Sequence, residues 1–150
     1  MPITIRTPTL DDAALMADFN CRLVEETETY RLDPAVALSG VRRAIETDRG
    51  LTYFLAEVDG DAAGQTMVTR EWSDWRDGMI WWVGSVYVDP QFRGRGVFRS
   101  LLEHVARAAA ADPDVCLLRL YVETHNEAAR ATYNRLGFEE LDYRVYERSL

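Results

Sequence analysis

Lysine is absent from this sequence: all seventeen basic residues are arginine. That excludes a Walker A phosphate loop, a Schiff-base lysine and a lysine general base. Cysteine and histidine are scarce, with two of each. Cys21 and Cys116 lie far apart and make neither a metal-ligand spacing nor a disulfide framework, which fits a reducing compartment. His104 and His125 have no ligand partner at a recognisable spacing, so no metal is expected. No apolar run reaches the ~18 residues that cross a bilayer. The opening "MPITIRTPTLDDAAL" turns acidic where a signal peptide carries its apolar stretch, so the expected location is cytoplasmic, without a membrane partner. A formal net charge of -8 argues against non-specific nucleic-acid binding, which rests on neutralising phosphates.

What is present suits an ordinary folded chain. Its 150 residues are 47% hydrophobic, with Gly and Pro at usual levels and no linker, repeat or low-complexity stretch, so residues 1–150 read as a single domain. "PITIRTPT" alternates as a short strand. Thr9 and Asp12 form a capping-box pattern ahead of a helix through "LDDAALMADFNCRLVEETE". A second helix is predicted from Pro34 across "AVALSGVRRAIET". "LTYFLAEVDGDAAGQTMVTREW" reads as a hairpin turning at Asp59-Gly60. After the turn "SDWRDG" comes "MIWWVGSVYV", a strand too apolar to face water on either side. "GVFRSLLEHVARAAAA" is an amphipathic helix stopping before Pro113, "VCLLRLYV" a buried strand, and "NEAARATYNRL" a helix capped by Asn126. "LGFEELDYRVYERSL" is predicted to close the fold with short strands. The order β-α-α-β-β-β-α-β-α-β-β describes an α/β (α+β) chain with a mixed sheet and helices on its faces.

The chemistry concentrates in "VDPQFRGRGVFRSLL". A strand ends at Val88, Pro90 stops pairing, and a helix begins near Gly96. The free N–H groups and the dipole of that helix start favour an anion. Gly94 and Gly96 leave the backbone bare, and Arg93, Arg95 and Arg99 add charge. From Gln91 to Arg107 four arginines face one glutamate. A phosphate or pyrophosphate is the natural ligand. The dinucleotide fingerprint is not met, because Arg99 stands at its third glycine position. For "GRG" alone, a turn with solvated arginines is the simpler reading.

Gln91-Phe92-Arg93-Gly94-Arg95-Gly96 resembles motif A of the GNAT superfamily of acyl-CoA-dependent N-acetyltransferases, Q/R-x-x-G-x-G/A. "LRLYVETHNEAARATYNRLGFEE" resembles motif B, with Asn126, Ala129, Tyr133 and Leu136-Gly137-Phe138. The coarse element order is similar to the family across nearly the whole chain. One departure stands inside motif A: Phe98 occupies a position that is small in many relatives.

The resemblance implies a mostly antiparallel central sheet, splayed between the fourth and fifth strands, with helices on both faces. It implies acetyl-CoA as cosubstrate and no metal. The pyrophosphate would rest on backbone N–H groups of Arg93, Gly94, Arg95, Gly96 and Val97, with Arg99 and Ser100 close by and Asn126 both capping its helix and contacting the cosubstrate. The pantetheine arm would pair with Val86 and Val88. Val86 would supply a backbone oxyanion donor, and Tyr133 would protonate the leaving sulfur. Read as a residue alone, Tyr133 is one more aromatic of an amphipathic helix.

Some family members carry a glutamate base in the fourth strand; that position here is Trp82. Either water removes the amine proton or a carboxylate arrives from elsewhere, with Glu26 and Glu28 the foremost candidates. Residues 1 to 35 hold seven acids against three arginines. Glu25, Glu26 and Glu28 are therefore expected to attract a cationic amine, with Trp72, Trp75, Trp81 or Trp82 packing its carbon skeleton. One of the pair Trp81 and Trp82 is expected in the core. The leading expectation is an N-acetyltransferase acting on a small cationic amine, with a homodimer a reasonable assembly. The alternatives are a non-catalytic acyl-CoA-binding module and an enzyme acetylating protein lysines or N-termini.

Overall fold

The structure is a computed structural model and describes residues 2–150. Its regular elements are β1 (Ile3–Arg6), α1 (Ala13–Thr27), α2 (Pro34–Glu46), β2 (Leu51–Val58), β3 (Asp61–Ser73), β4 (Gly78–Val88), α3 (Val97–Ala111), β5 (Val115–Leu120) and α4 (Glu127–Arg135). Short 3₁₀ turns at Leu10–Asp12 and Pro90–Phe92 lead into α1 and towards α3.

Local chemistry places the helix starts. Asp12 Oδ2 accepts from the Thr9 N–H at 2.8 Å, and the Arg6 guanidinium donates to both Asp12 oxygens and to Glu57. β1, β2 and the approach to α1 are thereby tied together. Arg6 holds the Asp12 carboxyl below its ordinary pKa, chiefly by hydrogen bonding. At α2, Asp33 accepts from the Ala35 N–H, with Pro34 in the first turn. Asn126 caps α4 by accepting from the Ala129 N–H at 3.2 Å.

The five strands lie in the order β1-β2-β3-β4-β5, antiparallel except for the β4–β5 pair. The hairpin turns at Asp59 and Gly60, both at positive φ, as a two-residue turn requires. Period-two alternation sends Tyr53, Leu55 and Tyr87 to a core under α1 and α2, where Met16, Phe19 and Val41 are buried. The opposite face carries Val68, Trp81 and Val83 against Leu102 and Val105 of α3 and Tyr133 of α4. Gly64 is required where β3 pairs with the end of β4, opposite Val88: a Cβ there would lie 2.7 Å from the Tyr87 carbonyl oxygen.

The closing strands expected after α4 do not form. Gly137, at φ 92°, ends α4, and the Phe138 N–H reaches back to the Tyr133 carbonyl at 3.0 Å. Residues 139–150 then run without strand assignment and are exposed throughout. β5 likewise falls short of the buried strand expected: every residue in it is at least partly exposed. The reason is shared, since the outer edge of β5 has no strand beside it.

Candidate active site

β4 and β5 part company midway along β4. Their parallel register runs from Met79↔Val115 to Val83↔Leu120 and stops, leaving Gly84 to Val88 without a partner on that side. On the other side, the register with β3 jumps between Gln65↔Tyr87 and Met67↔Gly84, so Ser85 and Val86 form a bulge. Ser85 sits at φ 49°, uncommon for a residue with a side chain. Gln65, fully buried, stands behind this bulge: its Nε2 donates to Asn20 Oδ1 at 2.7 Å and to the Ser85 carbonyl at 3.3 Å. Its Oε1 is the one buried side-chain polar atom without a partner among the described residues. α1 thus holds the bulge through Asn20 and Gln65.

The gap between the strands opens into a cavity of about 300 Å³. Its walls include Leu23, Val24, Glu26, Thr27 and Glu28 of α1 and its end, Val83 to Tyr87 of β4, Arg93 and Phe98, Tyr121 to Glu123 after β5, and Asn126, Ala129 and Tyr133. Tyr133 is only 9% exposed and packs between Phe98 and Phe138, at ring-centroid distances of 5.7 and 5.8 Å. Burial, and to a smaller degree the Glu123 charge, push its pKa up to about 12. The phenol therefore stays protonated through the neutral range. Phe98, the departure within motif A, is a wall of the cavity and a packing partner of Tyr133.

At the far side of β4, Asp89 accepts from the Gln91 N–H and receives Arg22 at 3.2 Å, fixing the chain as it leaves the sheet. Gly94 and Gly96 follow at φ 77° and 85°, each with open space where a Cβ would stand. Gly96 caps α3 through its backbone alone, with no side chain to satisfy the first-turn N–H groups. This bare, left-handed turn fits a phosphate-bearing ligand, and the unpaired end of β4 fits an extended arm beside it.

The arginines divide their roles. Arg93 stays exposed but is held back towards α1, donating to the Val88 carbonyl at 2.9 Å and to both Glu26 oxygens at 2.8 and 3.0 Å. Arg99 pairs with Glu103 on its own helix, and Arg95 lies over Phe92. Val97 is buried under the turn and Ser100 is partly exposed on α3.

The acidic candidates separate in the same way. Glu26 lines the cavity but is committed to Arg93, and the Tyr87 hydroxyl also approaches it at 3.4 Å. Glu25 is exposed and outside the lining. Glu28 faces Glu123 across the cavity mouth, and hydrogen bonding and charge from Glu123 raise the Glu28 pKa, with His125 opposing. Glu123 went unnoticed in the sequence because no motif marks it; only the fold brings it opposite Glu28.

The tryptophans do not line the cavity. Trp81 is core, as expected of one of the pair. Trp82 is half-buried and stacks on the cavity residue Tyr121 at 4.5 Å, next to the lining but outside it. Trp72 and Trp75 are exposed at the β3–β4 turn, near the opposite end of β4 from the cavity. Among the described residues no cluster of three His, Cys, Asp or Glu side chains could hold a metal, and no helix is long and apolar enough to cross a membrane.

The chain belongs to the GNAT acetyltransferase family: the family's sequence model, described as "Acetyltransferase (GNAT) family", matches residues 14–138. A possible acetyltransferase from Clostridium difficile 630, of known crystal structure, is 38% identical, superposes with a TM-score of 0.91, and is matched over 100% of this chain and 99% of its own. An uncharacterized N-acetyltransferase of Methanocaldococcus jannaschii is 33% identical over 89 residues, which is 59% of this chain and 39% of that protein. A mycothiol acetyltransferase of Mycolicibacterium smegmatis is 42% identical over 72 residues, 45% of this chain and 24% of that protein. The match therefore spans well under half the length of these curated relatives.

Proposed function

We propose that the protein is an N-acetyltransferase that moves an acetyl group from acetyl-CoA to the primary amine of a small cationic molecule. The observation that carries this reading is convergence: the unpaired end of β4 and the buried phenol of Tyr133 border one cavity, and Arg93 and Phe98, which flank the bare glycine turn, line it too. Family membership and the acetyltransferase names of the relatives support the acyl chemistry.

When bound, acetyl-CoA supplies the activated thioester. The chain's own residues do the rest. The Gly94–Gly96 turn and the start of α3 receive the phosphates, and the end of β4 aligns the extended arm. Val86, in the bulge, offers backbone polarity for charge developing on a carbonyl oxygen. Tyr133 stays protonated at neutral pH, so its hydroxyl is always available to donate a hydrogen bond to, and share its proton with, a departing thiolate. Glu28 and Glu123 together attract a cationic amine at the mouth. Glu28, with its raised proton affinity, is better suited to accept the amine's proton than Glu26, which Arg93 occupies. A walled cavity of about 300 Å³ suits a small molecule better than a peptide.

The test is thiol release from acetyl-CoA across a panel of amines, using the unaltered chain and Tyr133→Phe. We expect turnover with at least one cationic amine, and a kcat lower by about 10²–10⁴-fold in the variant at similar acetyl-CoA affinity. Equal kcat in both proteins would remove Tyr133 from the mechanism.

A further inference from the structure

The bulge of β4 is held from both faces of the sheet by consecutive residues of β3. The register passes from Gln65↔Tyr87 to Met67↔Gly84, so Thr66 alone stands opposite Ser85 and Val86. Alternation sends Gln65 to the α1 face with Met67, and Thr66 to the α3 face with Val68. Both side chains are fully buried. Thr66 Oγ1 donates to the Gly84 carbonyl at 3.1 Å, and Gln65 Nε2 donates to the Ser85 carbonyl at 3.3 Å. Two successive carbonyls of β4 thus accept from side chains of β3.

The orientation of the Gln65 amide is fixed by chemistry. A carbonyl only accepts, so the amide nitrogen must face Ser85, and its second N–H goes to Asn20 Oδ1 at 2.7 Å. Both donors are used, and Oε1 is left without a partner. A bare acceptor in the core is unfavourable, and it follows from aiming both donors at the bulge and at α1. Ser85 needs such support, because its φ of 49° is strained for a residue with a Cβ. The chain beyond the bulge is anchored separately: Tyr87 is buried and packs on Phe19 of α1 at 5.3 Å. Loss of the Gln65 amide would therefore relax Gly84 to Val86 and leave the end of β4 in place.

We infer that Gln65 is a positioning residue for acetyl transfer, acting through the Ser85 carbonyl to fix the backbone polarity that the bulge at Val86 presents to the reacting carbonyl. This rests on the acetyltransferase reading above and adds a support to it. Through Asn20 that support reaches α1, the helix that also walls the cavity. Thr66 holds the neighbouring carbonyl from the opposite face.

Gln65→Leu keeps the bulk and removes both donors. The Cα and Cβ chemical shifts of Ser85, read without any ligand, should move from left-handed to extended values, while those of Tyr87 stay. With acetyl-CoA and the best amine of the panel, kcat should fall by about 10–100-fold while the acetyl-CoA Kd changes by less than about threefold. Gln65→Glu separates positioning from folding. A carboxylate cannot donate to Ser85, whereas the protonated acid can, and burial raises the pH at which it takes up that proton. The kcat of Gln65→Glu relative to the unaltered chain should rise as pH falls from about 8.5 to about 6. Asn20→Ala, at a partly exposed position, should shift Ser85 in the same direction with smaller amplitude, and serves if the leucine variant does not fold. Unmoved Ser85 shifts in a folded variant would overturn the clamp. Moved shifts with unchanged kcat, or a flat kcat ratio for Gln65→Glu, would overturn the positioning role. An unaltered chain that acetylates none of the panel would overturn the acetyltransferase reading and the role resting on it, and the Ser85 shifts would still decide the clamp.

Discussion

Tyr133 and Glu28 are the side chains to which the proposed mechanism assigns the proton transfers, and each is tuned by neighbours distant in sequence. Tyr133 owes its high pKa to packing between Phe98 and Phe138, one from motif A and one from the end of motif B. Glu28 owes its raised pKa first to Glu123. The division of labour between the two acids of α1's end is a direct prediction. Glu28→Gln should lower kcat/KM for the preferred amine by about tenfold or more and shift the acidic limb of its pH profile, consistent with loss of a general base. Glu26→Gln should act differently. It frees Arg93 and removes a negative charge near the glycine turn, so it should tighten acetyl-CoA binding and leave kcat nearly unchanged. Steady-state kinetics over pH 5 to 9 would read both, and equal effects of the two changes on kcat would contradict the assignment.

At the scale of elements, the turn from β4 to α3 and the bulge of β4 frame the candidate site. Gly94 and Gly96 are held left-handed, so alanine at either position should cost about 1–2 kcal/mol of stability. It should also weaken acetyl-CoA binding by more than that strain explains, because the new methyl enters the open space of the turn. Urea titration and calorimetry measure the two effects separately. Much of this element-scale anatomy was legible in the sequence. The Gly-Arg-Gly turn between an apolar run and an amphipathic run, the Asp59-Gly60 hairpin, and the caps at Asp33 and Asn126 are all local chemistry. What was not legible was non-local. Nothing near Gln65 says that it will meet Asn20 and the Ser85 carbonyl, and nothing near Arg93 says that Glu26 will draw its guanidinium off the turn. The strands expected after α4 are a related case: residues 139–150 have the alternation of a strand, but alternation says nothing of pairing, and β5 keeps its outer edge free. Trp72 and Trp75 looked like binding residues by composition, yet hairpin register puts them at the wrong end of β4.

For the whole molecule, the buried phenol couples stability to alkaline pH. Below pH 10 Tyr133 is protonated in both folded and unfolded chains. Between its ordinary value of 10 and its folded value of about 12, the unfolded chain ionises first, so stability is lost as pH rises through that window. The loss should be on the order of 2–3 kcal/mol, and Tyr133→Phe should reduce it. Tyr53 and Tyr87, also raised by burial, add to it with the same sign. Urea midpoints at pH 9 and pH 11.5 for the two proteins measure the difference. The central claim, that the glycine turn and the open end of β4 together receive acetyl-CoA, is tested most directly by the melting temperature with and without that ligand. At ~100 times Kd, linkage predicts about 2.7 kcal/mol of stabilisation. For a chain of this size that is a rise of roughly 5–10 °C. Such a rise, weakened in Gly94→Ala, is the result this account predicts; an unchanged melting temperature at saturating acetyl-CoA would contradict it.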